Sequence, residues 1–140
     1  MDEDQKNNLF ITFKGILDSI IADKKKKPKK LESLNNFEAK INLCLHIHED
    51  EYYWMNLVAK NGNFALSRGK IEGDHDLNLT VTPEDMLYYA NREFSTLHMV
   101  TKKNKYGYKK LRIQAGTTGH NVRLLLKLPK IFVLDKEEKD

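Results

Sequence analysis

The sequence predicts an α+β domain, and three observations carry that prediction. Ile41, Leu43, Leu45 and Ile47 alternate with polar residues, as do Leu77, Leu79 and Val81 and later Leu111 and Ile113. This is the period of a half-buried strand. Leu9, Phe10, Phe13, Ile16, Leu17, Ile20 and Ile21 recur at helical spacing and form one broad apolar stripe. The order then decides the class. Three strand patterns in succession, followed by helices and a later strand, describe an α+β domain rather than a wound parallel sheet.

Taken in order, the apolar stripe predicts an amphipathic helix over residues 5–23. Only Lys6 and Lys14 lie on its polar face. A membrane-surface helix is usually richer in lysine there, so the stripe is expected to dock on the domain's own core. Residues 24–36 form a basic linker. Lys24–Lys27, Pro28 and Lys29–Lys30 end the first helix, and Leu31–Asn36 can make one short helical turn. As a string this run also resembles a nuclear import signal, but exposed charge is the simpler reading. Residues 37–134 hold the sheet and its covering helices. After Ile41–Ile47, Glu49–Glu51 turns the chain. Tyr52–Lys60 follows with Tyr53, Met55 and Leu57 on one face and Trp54 and Val58 on the other, the pattern of a covered central strand. Asn61-Gly62 suits a tight hairpin, and Phe64–Arg68 returns as the third strand. Gly69–Asp76 loops across to the fourth, Leu77–Val81.

Thr82-Pro83-Glu84-Asp85 is a helix start. The hydroxyl can accept from a free N–H, proline suits the first helical position, and the acids favour the positive helix end. Met86, Leu87 and Ala90 continue at helical spacing, and a second short helix follows. Leu111–Ala115 is the fifth strand, closed by Gly116. Val122–Leu128 is ambiguous: Val122, Leu124, Leu126 and Leu128 alternate as a strand would, whereas Val122, Leu125 and Leu126 form one helical face ending before Pro129.

A chain of 140 residues suits one domain spanning 1–140 and buries roughly two-thirds of its unfolded surface. Apolar residues at 40% and charged ones at 31% are ordinary for a globular protein. A lone cysteine, Cys44, cannot form an internal disulfide, which points to a reducing compartment. The chain shows no secretory leader, no apolar run near 18 residues and no peroxisomal tripeptide at its end, so a cytoplasmic location is expected. Net charge is +4, gathered in Lys24–Lys30 and in Lys102–Arg112. Both clusters could attract phosphate-bearing surfaces.

If Ile41, Leu43, Leu45 and Ile47 face the core, Cys44, His46 and His48 share the opposite face. Two imidazoles and a thiolate can hold zinc with one open position, but no further ligand motif supports this, and no metal or cofactor is expected. Asp74-His75-Asp76 sits in a glycine-flanked loop and reads as solvated charge. There is no phosphate-binding glycine loop and no nucleophile elbow, hence no case for an enzyme. Tyr106 and Tyr108 among Lys102, Lys103, Lys105, Lys109 and Lys110 match the mixture used by single-stranded nucleic-acid surfaces. The same mixture suits a contact with an anionic membrane or a solvated loop.

The order of strand, Thr-x-Glu-Asp helix, short helix, Lys110-Leu111-Arg112-Ile113…Gly116 strand and closing leucine-rich segment resembles the type 2 sterol carrier protein domain. The likeness rests on Leu77–Tyr89, Lys110–Gly116 and Val122–Phe132. Two departures are a longer linker over Asn91–Lys110 and extra residues at Gly116–His120. The resemblance implies a single mixed, mostly antiparallel five-stranded sheet with helices packed on one face, and a helix rather than a strand over Val122–Leu128. It also implies an apolar tunnel between the layers that sequesters a sterol, fatty acid or acyl-CoA without catalysis. The tunnel would be lined by Leu79, Met86, Leu87, Ala90, Phe94, Leu97, Met99, Val100, Leu111, Ile113, Val122, Leu125 and Leu126. Transient contact with an anionic membrane surface would accompany this work, with no transmembrane segment and no nucleic-acid partner. The alternative is an interaction module of the same fold, its core filled, binding protein or nucleic acid through the lysine-rich patches.

Overall fold

Five strands form one sheet in the order β3-β2-β1-β4-β5. They are β1 (Ala39–His48), β2 (Glu51–Lys60), β3 (Asn63–Arg68), β4 (Leu77–Val81) and β5 (Leu111–Ala115). The computed structural model describes residues 1–135, without the side chains of Asn121 and Val122. The expected tunnel position of Val122 therefore lies outside the described residues. Only β1 and β4 run parallel; β1–β2, β2–β3 and β4–β5 are antiparallel. The sheet is thus mixed and mostly antiparallel, as expected. Asn61 and Gly62 take φ of 54° and 83° between β2 and β3, the positive values a two-residue hairpin demands and Asn-Gly tolerates.

Register sets which side chains share a face. Leu43 lies between Met55 and Leu79, Ile41 between Leu57 and Leu77, and Leu45 between Tyr53 and Val81. These form the floor of the core. The opposite face carries Asn42, Cys44, His46, Trp54, Asn78 and Thr80. It is not bare. The loop after β3 brings Ile71 N–H to Asn42 Oδ1 at 2.8 Å and Lys70 over the Trp54 ring. The loop before β5 lays Tyr106 against His46, with ring centroids 4.4 Å apart. These loops bury β1 on both faces but leave Tyr52 and Val58 of β2 exposed. The doubly covered strand is therefore β1. The expectation that β2 fills that role is corrected, because its apolar outer residues face partly into solvent.

α1 (Glu3–Lys25) is longer than its apolar stripe because Asp2 and Gln5 form a reciprocal cap at its start. The basic linker is correspondingly shorter than 24–36. α2 (Pro28–Asn35) begins inside it, with proline in the first turn and Leu34 buried. α3 (Pro83–Ala90) starts where Thr82 Oγ1 accepts from Asp85 N–H at 3.2 Å. α4 (Thr96–Thr101) starts at Ser95 in the same way. Val122–Leu128 resolves as α5 (Asn121–Leu125) and a turn before α6 (Pro129–Phe132). Leu124 and Leu128 are buried and Leu126 is exposed. The core cluster joins Phe13, Leu17 and Ile21 of α1, Met86 and Tyr89 of α3, and Ile131 and Phe132 of α6 to the apolar face of the sheet.

Candidate functional site

An apolar cleft opens between the helices and the sheet. Its walls are Phe13, Ile16, Leu17 and Ile20 of α1, Met86, Leu87 and Ala90 of α3, and Phe132 of α6, over a floor of Leu43 and Leu66. The spacing of Phe13, Ile16, Leu17 and Ile20 follows one helix face, so the N-terminal stripe does turn inward. No charged side chain lines the cleft. Its cavity volume is about 20 Å³. It is room for about one water, whereas a small-molecule site commonly has about 300–1,000 Å³. The cleft is a narrow slit, and a larger apolar guest requires its walls to part.

Of the thirteen residues implied as lipid-binding, Met86, Leu87 and Ala90 stand on this cleft. Leu79, Met99 and Leu111 lie in the packed core. Phe94, Val100, Ile113 and Leu125 are half-buried against it. Leu97 and Leu126 point into solvent at 71% and 79% exposure. The structure therefore brings three of the set together and supplies the other walls from α1, α6, β1 and β3. The stripe on α1 and the closing segment before Val133 were visible in the sequence. That they pack against each other was not, because no local pattern records which helices share one patch of sheet.

Elsewhere several polar groups have structural partners. Cys44 is buried, its thiol pushed up to about 11 by desolvation, with Arg112 and Thr80 pulling the other way. His46 is fully buried, with Nδ1 facing the Arg112 guanidinium at 3.1 Å and Nε2 facing the Glu49 carbonyl at 3.2 Å. His48 is exposed. Among the described residues no group of three His, Cys, Asp or Glu side chains is placed to hold a metal. Tyr106 turns its hydroxyl to the Ile47 carbonyl, Lys109 donates to the Thr101 carbonyl, and Lys110 pairs with Asp85 at 3.2 Å. The basic, aromatic loop thus spends much of itself on its own domain.

Asp76 overturns its reading as solvated charge. It is buried, accepts from the Lys40 amide and the Thr118 hydroxyl, and faces His120 Nδ1 at 3.3 Å. Burial pushes its carboxyl up, but the bonds from Thr118, Lys40 and His120 outweigh that and hold it below the ordinary value. It ties the Gly116–His120 segment to the end of the sheet where β1 and β4 meet. Gly116 fits there because a Cβ would run into the His75 carbonyl.

No family model matches the chain, and no curated protein matches it. Solved structures do. A UbiJ-SCP2 ubiquinone synthesis protein superposes with a TM-score of 0.60 at 11% identity, over 87% of this chain and 93% of that one. The sterol carrier protein domain 2 of Helicoverpa armigera gives 0.58 at 11% identity, covering 89% of each chain. Sterol carrier protein 2 from Yarrowia lipolytica, in its apo form, gives 0.53 at 20% identity, over 75% of this chain and 84% of that one. The fold is that of the type 2 sterol carrier domain.

Proposed function

Starting from a sterol-carrier fold, we propose that this domain binds a lipid non-covalently in the cleft between α1, α3 and α6 and carries it between membranes or enzymes. The observation that carries the reading is the cleft's wholly apolar wall, set between helix layer and sheet. The work is sequestration and release, with no bond made or broken. The ligand is a sterol, fatty acid or acyl-CoA.

Magnitudes support opening of the slit. Each methylene moved from water to an apolar site contributes about 0.8 kcal/mol, so a long acyl chain gains on the order of 10 kcal/mol before ordering costs. Unseating one wall residue such as Phe132 forfeits about 1.5–3 kcal/mol. Before the ordering cost is counted, the gain exceeds that loss. Met86 adds a wall that can reshape, since its thioether chain adapts to irregular guests. No helix among the described residues is long and apolar enough to cross a membrane, and the carrier meets bilayers through its basic surface.

Native mass spectrometry of freshly purified protein tests this. An added mass equal to one fatty acid, acyl-CoA or sterol, lost on organic extraction, is the expected result. Protein that is bare when purified and stays bare after incubation with a panel of all three classes contradicts the reading.

A further inference from the structure

The lysine run that spans the end of α1 and the start of α2 is where the structure departs furthest from a solvated linker. Lys24 is almost fully buried, and its Nζ lies 2.8 Å from an Asp135 carboxylate oxygen and 3.4 Å from the Pro129 carbonyl. Lys27 and Lys30 reach the same carboxylate at 3.2 and 3.5 Å. Beside them lies a pocket of about 260 Å³ lined by Lys24, Lys29, Lys30, Ser33, Leu34 and Lys130. Three ammonium groups, those of Lys24, Lys27 and Lys30, therefore converge on one carboxylate, and Lys29 and Lys130 line the pocket beside them. Asp135 is held down to about 2: burial pushes its carboxyl up, and the Lys24 and Lys27 hydrogen bonds with the Lys24 and Lys30 charges more than reverse it. The chain has built an oxyanion site and put its own carboxylate in it.

That carboxylate lies three residues beyond Phe132, a wall of the apolar cleft. Between them, Leu134 N–H donates to the Ala90 carbonyl at 2.9 Å, at the end of α3, and Ala90 is another cleft wall. α6 has only four residues, too short to hold itself in place without tertiary contacts. Its position depends on these tethers together with the burial of Ile131 and Phe132 against the core.

We propose that the Lys24–Lys30 corner is a binding site for a phosphate group, latched by Asp135, and that a phosphate displacing Asp135 releases α6 and opens the cleft. Geometry and charge favour this exchange. A phosphate offers more acceptor oxygens than one carboxylate to the same fork of lysines, and Lys29 and Lys130 have no described carboxylate partner to surrender. At a bilayer bearing phosphate headgroups, cleft opening would be confined to the place where lipid is collected or delivered. The inference deepens the lipid-carrier reading and rests on it for its purpose, but the anion site stands on its own geometry.

Hydrogen–deuterium exchange of the full chain tests it, read at the amides of Lys130–Leu134. Four conditions are compared: buffer, phosphatidylcholine vesicles, the same vesicles with phosphatidic acid, and inorganic phosphate. Exchange is expected to rise severalfold with the anionic vesicles and not with the neutral ones. A matching rise with inorganic phosphate identifies the free ion as sufficient; its absence identifies the headgroup at a surface. Asp135→Asn should show the raised exchange with no anion present. Lys29→Gln/Lys30→Gln, which changes two exposed side chains, should weaken co-sedimentation with anionic vesicles by roughly fivefold per lysine. Unchanged exchange in every condition, Asp135→Asn behaving as the parent, or unaltered co-sedimentation of the double variant overturns the latch. A fluorescent fatty acid titrated into parent and Asp135→Asn keeps the two ideas apart. Equal affinity for both sinks the latch alone, whereas no binding by either sinks the carrier reading and leaves the exchange result standing.

Discussion

Replacing Asp135 by asparagine should cost stability in a pH-dependent way, and the structure sets the size. The side chain keeps its shape but loses the charge that faces Lys24, Lys27 and Lys30 at 2.8, 3.2 and 3.5 Å. Only 11% of the Asp135 side chain is exposed, so solvent screens these contacts less than it would a surface pair. A carboxyl that falls from 3.8 unfolded to about 2 folded contributes about 2.5 kcal/mol at neutral pH. Because the folded value is the lower one, this contribution is complete above about pH 4. It is lost as the pH drops through about 2. Urea unfolding of parent and Asp135→Asn at pH 7, 4.5 and 2 should show a gap of about 2–3 kcal/mol at the first, a similar one at the second and a much smaller one at the third. A variant as stable as the parent at pH 7 would refute the reasoning, and so would a gap that persists undiminished at pH 2.

Thr82→Ala removes the hydroxyl that accepts from Asp85 N–H and should lower stability by about 1 kcal/mol, read from the same urea curves. Gly62→Ala places a side chain at φ 83° and against Asn35; a loss on the order of 1 kcal/mol is expected, and an unchanged midpoint would contradict the hairpin described here. Elemental analysis after dialysis should find well under one zinc per chain, since the Cys44 thiol is held protonated and His46 faces Arg112 and a carbonyl. One tightly held zinc lost in His46→Ala/His48→Ala would overturn that.

Where chemistry is local, the sequence was legible. The Asn61-Gly62 turn, the Thr82-Pro83 start of α3 and the alternation of Ile41 to Ile47 each name their structure within a few residues, because turn, cap and pleat are decided by neighbours. What was not legible depends on long-range meetings. Leu97 belongs to a helical pattern yet stands in solvent, since a short helix can bury only one of its faces. Phe13 and Phe132, more than a hundred positions apart, share one cleft because α1 and α6 pack against each other. Lys24 looked like one lysine among six, and only its approach to Asp135 shows that it is buried. The charge run also masked a helix start: Pro28, read as a breaker, opens α2.

The most direct test places a bulky ring in the slit. Leu87 is 37% exposed on the cleft rim, so Leu87→Trp has room to turn outward or to occupy the space a lipid would take. Titration of a fluorescent fatty acid and a thermal melt are made on the same samples of parent and variant. The account expects about one lipid per parent chain, an affinity at least tenfold weaker in Leu87→Trp, and melting temperatures within a few degrees of each other. If no fatty acid, acyl-CoA or sterol binds the parent, while Leu87→Trp costs the 1–3 kcal/mol typical of an overpacked core, the cleft is filled core and the lipid-carrier account is contradicted.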